Sequence, residues 1–196
     1  MSKGEETRQS ILDEAIRVAS VEGLDGLSIG DLASRQGLSK SGLFAHFGSK
    51  EALQIAVLEY GKERFVAYVV APAISQPRGL PRVRALFENH LRWSGGRVLP
   101  GGCPLMAAVM ELDDKPGKLR DFLVDSQKLW LQTVRIAADK AIAEGHLRRD
   151  LDVDQFTFKF ESILLGYSYA KRLLKDPDAE SKAVAAFDDL IFLSQT

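Results

Sequence analysis

The stretch LASRQGLSKSGLFAHFGSKEAL, residues 32–53, carries apolar side chains at the spacing of two short helices that must lock together. Between them lies SKSG, residues 39–42, polar, small and free of acidic groups. A helix-turn-helix crosses its helices steeply through a very short turn. Ala33 is small enough to be approached where the helices touch, Gly37 tolerates positive φ in the turn, and Leu43 pushes an apolar side chain back into the crossing. Many helical hairpins contain Ala, Gly and Leu, so spacing alone leaves an ordinary solvated helix pair open.

The same helical spacing extends outward in both directions. Ile11, Leu12, Ala15, Ile16 and Ala19 form the stripe of a first helix that Gly23 stops. Ser28 with Asp31 is placed as a capping box for a second helix; Ser39 caps a third, and Ser49 caps a fourth that runs toward Pro72. A fifth helix carries Val83, Leu86, Phe87, His90 and Leu91 on one side and breaks at SGGRVLPGGCP. A short piece around Met106 and Met110 follows. A long helix then runs from KPGK to Gly145, another from Asp152 through Leu174, and a last one over about residues 179–193. FTFKF, residues 156–160, alternates like a strand, but its continuation at three- and four-residue steps favours helix. The expected fold is all-α, with about nine helices.

Composition narrows the class. The chain has 196 residues, is 45% hydrophobic and 27% charged, and is long enough to bury a sizeable core. No apolar run approaches the roughly 18 residues that cross a bilayer. The polar start MSKGEETRQS has no apolar core of a signal peptide, which makes the cytoplasm the expected location. Cys103 is the only cysteine, so no internal disulfide forms.

The formal net charge of −1 excludes a protein that coats nucleic acid by bulk charge, but says nothing against a local basic surface. Residues 34–50 contain Arg35, Lys40 and Lys50 and no acidic residue, whereas residues 1–60 contain six basic and nine acidic ones. A positive face on an acidic body suits a duplex, because phosphates need donors only where they touch.

LSIGDLASRQGLSKSGLFAHFGSKEAL resembles the N-terminal domain of the TetR family of transcriptional regulators, most specifically from LSKSGLF to HFGSKEAL. The resemblance covers about residues 7–58. It implies a helix-turn-helix DNA-binding domain, residues 1–49, and an effector-binding and dimerisation domain, residues 50–196. It further implies that Ser39, Lys40, Ser41 and Gly42 open a recognition helix facing base edges or phosphates. Phe44 stands where the family usually has tyrosine, His46 and Lys50 lie near the backbone, and Ser28 caps the second helix beside the DNA. Phe44 lacks the tyrosine hydroxyl and Gly42 lacks the threonine side chain often found there. Both departures shift affinity toward Lys40, Lys50, His46 and N–H groups at helix starts.

One helix-turn-helix reads only a few base pairs, so two chains must act together. The resemblance implies that the last two helices pair with their symmetry mates in a four-helix bundle. Gly166 and Ala170 permit close approach there, and Ala183, Ala186, Phe187 and Leu190 offer an apolar face; intrachain core is the alternative for each. In the middle helices Phe87, His90, Trp93, Met106, Met110, Phe122, Trp130, Phe160 and Tyr167 suggest a mainly apolar effector cavity with a few polar handles, or simply core. Cys103, in PGGCPLM, admits three readings: inert filler, pocket wall, or a thiol that senses electrophiles or oxidants. Five arginines in residues 78–97 form a solvated face, a second DNA contact or an anion attractor.

The expected function is thus a DNA-binding repressor, homodimeric and released by a small, mainly apolar effector. The alternative is a thiol-switch regulator acting through Cys103. For an enzyme the residues offer only Cys103 with His90, without an orienting partner. No phosphate loop, metal-spaced cluster or cofactor motif appears.

Overall fold

Caps and glycines divide the chain into its helices. The computed structural model describes residues 2–195, and every regular element among them is helical. These are α1 (Lys3–Glu22), α2 (Ile29–Arg35), α3 (Lys40–Phe47), α4 (Lys50–Phe65), a π-helical turn (Val66–Val70), α5 (Ala71–Ile74), α6 (Leu80–Ser94), α7 (Pro104–Leu112), α8 (Lys118–Ala143), α9 (Val153–Arg172) and α10 (Ala179–Gln195). Helical dihedrals continue through Phe65 and Ala71, so α4, the π turn and α5 follow one another without a break in the helical backbone. Counted that way there are nine helices among the described residues, in line with the sequence pattern.

The chain divides into two compact units. The first comprises residues 2–64 with 96–126 and the second residues 65–95 with 127–195. In the first unit the stripe predicted for α1 is buried, with Ile11, Leu12, Ala15, Ile16 and Ala19 all inside. Leu24, Leu27, Leu32, Leu43 and Leu53 are buried in the same unit. The Gly101 N–H donates to Ser20 Oγ at 3.1 Å, tying the segment before α7 to α1.

Aromatic rings fill the second unit. Phe87 of α6 stacks on Phe187 of α10 with centroids 3.9 Å apart, and Phe160 of α9 meets both rings edge-on. Asn89 of α6 donates to the Val69 carbonyl at 3.1 Å, meeting the backbone where the π turn widens the helix. No described helix is long and apolar enough to cross a membrane.

Candidate functional site

The turn after α2 closes through two backbone bonds. Leu38 N–H donates to the Ala33 carbonyl at 2.8 Å and Gly37 N–H to Ser34 at 3.2 Å, the paired bonds of a Schellman motif. Gly37 supplies the required positive φ of 65°, and a Cβ added there would touch nothing, so conformation rather than space selects glycine. Ala33 and Leu43 are both buried, so the inner faces of α2 and α3 are committed to the core.

α3 then starts in the open. Ser39 Oγ accepts the Gly42 N–H at 3.0 Å and lies 3.0 Å from Ser41 Oγ. Ser39, Lys40 and Ser41 are exposed, Gly42 is half-buried, and Phe44 is 51% exposed despite its apolar ring. His46 is half-buried beside Phe47. Ser28 caps α2 by accepting the Asp31 N–H at 3.3 Å. The Lys40 stem crosses the start of α2: a Cβ on Gly30 would lie 2.9 Å from Lys40 Cε and 3.7 Å from Ser28 Oγ. Ser28 and Lys40, twelve positions apart, therefore share one surface.

The three basic residues of this stretch are not equivalent. Arg35 pairs with Glu14 at 3.2 Å and Glu22 at 3.9 Å. Lys50 donates to the Asp25 carbonyl at 2.8 Å. Lys40 enters no ion pair among the described residues and remains exposed, so its charge is the one most available to a phosphate.

Residues 11–57 match bacterial regulatory proteins of the tetR family, and residues 79–187 match a tetracyclin repressor-like C-terminal domain. The chain belongs to the TetR family. The HTH-type transcriptional repressor AcnR of Corynebacterium glutamicum is 24% identical over 161 residues, spanning 82% of this chain and 79% of AcnR. A TetR transcriptional regulator from Chloroflexus aurantiacus superposes with a TM-score of 0.86 at 26% identity, covering 98% of this chain and 96% of that one. AibR, solved in complex with isovaleryl coenzyme A and operator DNA, gives a TM-score of 0.68 at 23% identity over 83% of this chain and 85% of its own. TetR-family proteins are DNA-binding transcriptional regulators rather than enzymes, and that is the class of this chain.

Within the TetR-type C-terminal match, some of the expected effector residues belong to the second unit and others to the first. Phe87, His90, Trp93, Trp130, Phe160 and Tyr167 all lie buried in the second unit. His90 stacks on Trp130 at 5.4 Å, and Trp130 lies 6.2 Å from Phe160. Phe65, which helical spacing did not single out, meets His90, Trp93 and Trp130 edge-on at 5.5, 6.1 and 5.1 Å. Cys103, Met106 and Met110 belong instead to the first unit, as does Phe122. Cys103 is buried at the N-cap of α7, Met106 is half-buried, and Met110 is 67% exposed on the surface of α7.

Two titratable groups serve the ring cluster. Burial pushes the His90 imidazole down to about 3, so it is neutral at physiological pH; its Nδ1 lies 3.3 Å from Ser94 Oγ. Glu161, absent from the sequence reading, accepts the Trp130 indole N–H at 2.8 Å. Burial raises its carboxyl pKa, and the indole bond opposes that only in part. A carboxylate on α9 with Trp130 31 positions earlier leaves no local signal.

The apolar face expected of the last helix turns inward. Ala183, Phe187 and Leu190 are buried within the chain, Phe187 at 2% exposure, because this stripe supplies the core against α6 and α9. Ala186 is exposed, Gly166 is exposed with nothing near a Cβ added there, and Ala170 is half-buried. The stripe left open on α9 is Phe158, Ser162, Leu165, Gly166, Tyr169 and Leu173, with Phe192 and Leu193 open on α10.

Proposed function

We propose that the chain is a homodimeric repressor that binds operator DNA through the start of α3 and releases it when a small, mainly apolar effector binds the ring cluster. The reading rests on one observation: Ser39, Lys40, Ser41 and Phe44 stand exposed on a helix whose rear, Leu43, is buried. Such a face meets base edges and phosphates in a major groove, and two copies on half-sites about 34 Å apart supply specificity. The DNA-contact set is Ser28, Ser39, Lys40, Ser41, Gly42, Phe44, His46 and Lys50.

For dimerisation, the open α9 stripe with Phe192 and Leu193 supports pairing with a second chain: large apolar side chains repeat at helical spacing around Gly166, where another helix can approach closely. For effector binding, the support is the ring cluster with two polar handles. The Trp93 indole N–H is buried with no acceptor among the described residues, and the Glu161 carboxylate has Trp130 as its donor. AibR, a fold relative, has been solved with both a coenzyme A ester and operator DNA bound. Cytoplasmic location follows from the same regulatory reading. The thiol-switch alternative retains Cys103 at the N-cap of α7; its burial counts against easy attack by oxidants.

The test is selection of duplexes from a random library by the purified chain, followed by footprinting and mass measurement of the complex. Enrichment of a two-part site bound by two chains supports the reading. Failure to enrich any sequence, or binding by one chain, overturns it. Cys103→Ser that still releases DNA on electrophile treatment removes the thiol alternative.

A further inference from the structure

The turn joining α1 to α2 is gripped from α7. Gly23 has φ of 78°, and after it the N–H groups of Leu24 and Asp25 converge as a two-donor nest for an anion. Glu111, on the last turn of α7, occupies that nest: Leu24 N–H donates to Oε2 at 2.9 Å and Asp25 N–H to Oε1 at 2.6 Å. The approach is close enough that a Cβ on Gly23 would lie 2.8 Å from Oε2. The same two residues are held by their carbonyls, with buried Gln54 donating to Leu24 at 2.9 Å and Lys50 to Asp25 at 2.8 Å. Lys115 pairs with the Asp25 carboxylate at 2.9 Å, which also holds that carboxyl below its usual range.

We infer that Glu111 is a positioning residue for DNA reading: its carboxylate sets where the turn at residues 23–25 lies, and therefore where α2 and α3 stand. The inference rests on the proposed DNA contact by α3. Its physical basis is rigidity. Ser28 caps α2 three residues beyond the turn, and α2 is bonded to α3 through the closed Schellman turn. The segment before α7 is tied to α1 by Gly101 to Ser20, and the last turn of α7 is tied by Glu111 to the nest that follows α1. A shift of α7 must therefore carry the turn with it or break two charge-assisted bonds. α7 also carries Met106 and Met110 and is capped by Cys103, so a displacement of those side chains would pull on the same turn.

The experiment compares wild type, Glu111→Gln, Glu111→Ala and Lys115→Ala on a duplex that wild type has enriched from a random library. Glu111→Gln keeps the shape but presents an NH2 to one backbone N–H, leaving that donor opposed. The expected result is a loss of affinity of about tenfold or more for both Glu111 variants, with an unchanged active fraction in stoichiometric titration. Amide exchange at Leu24 and Asp25 should quicken. Lys115→Ala, an exposed pair, should change affinity by only a few-fold. A merely structural role would lower the active fraction and leave the Kd of the remainder alone, which overturns the inference. So would a wild-type Kd in Glu111→Gln with faster exchange at Leu24; should Glu111→Ala fail to fold, Glu111→Gln decides alone. If wild type itself enriches no duplex, the DNA reading fails first and this inference falls with it.

Discussion

His90 lies stacked on Trp130, ring centroids 5.4 Å apart and planes inclined by 29°, with Phe65 edge-on to both. An imidazole so enclosed cannot hold a proton cheaply. Burial brings it down to about 3 from an ordinary value of 6.5. Between those two values the unfolded chain binds a proton that the folded chain refuses, so stability falls as pH is lowered from 6.5 toward 3. The slope from this group approaches about 1.4 kcal/mol per pH unit. Glu161 acts in the opposite sense: its raised folded value means a contribution present at low pH and lost as pH rises through that value. Urea titrations across pH should show the slope below pH 6.5 shrink in His90→Leu, and the loss that sets in above pH 4.5 shrink in Glu161→Gln. A His90→Leu profile that parallels wild type below pH 6.5 refutes the assignment.

Lys40 and Arg35 should separate in a salt titration. Lys40 is exposed and outside any described ion pair, while Arg35 is engaged by Glu14 and Glu22. Lys40→Ala is expected to weaken operator binding and to reduce the slope of log K against log salt by about one unit. Arg35→Ala should leave that slope nearly unchanged. Equal effects of the two substitutions would remove Lys40 from the contact set.

Phe44 is 51% exposed and presents an apolar ring on the side of α3 proposed to face the groove. Replacing it with tyrosine adds a hydroxyl without altering the ring's place, and one new bond to a phosphate is worth up to about 1.5 kcal/mol. Phe44→Tyr should therefore tighten operator binding several-fold, while Phe44→Ala weakens it. A tyrosine variant that binds no better than wild type places this ring away from the backbone.

Leu165 and Phe187 should fail in different ways. Leu165 is open on α9, so Leu165→Glu is expected to shift light-scattering mass toward the monomer with the helical signal retained. Phe187 is stacked on Phe87 inside the chain, and Phe187→Ala should cost about 3–5 kcal/mol of folding stability. If Leu165→Glu leaves the mass of two chains intact, the α9 stripe is not the interface.

Local grammar made the front of the chain legible. Ala33, Gly37, Leu43 and the caps Ser28, Ser39 and Ser49 act on neighbours within a few residues, and each does in the structure what its position predicts. Of the reciprocal pair expected at Ser28 and Asp31, the bond formed is the serine half, Asp31 N–H to Ser28 Oγ, as asparagine-length acids seldom reach back. The last helix was harder. Periodicity groups Ala183, Phe187 and Leu190 on one face but is blind to which body covers that face, and α6 with α9 covers it here. Glu111, Glu161 and Phe65 were missed for a related reason: each matters through partners 87, 31 or 65 positions away.

Spacing and short-range chemistry alone were sufficient for the all-helical class, for the helix ends, and for the exposed start of α3 at residues 39–41. Those properties depend on contacts within a turn or two, which a linear chain displays directly. The division of α10 into an inward and an outward face, the gathering of Phe65 with His90 and Trp130, and the grip of Glu111 on residues 24 and 25 depend on distant segments meeting. Such meetings are chosen by the packing of the whole chain, because an apolar stripe or a carboxylate specifies the kind of partner it needs and leaves its address to the fold.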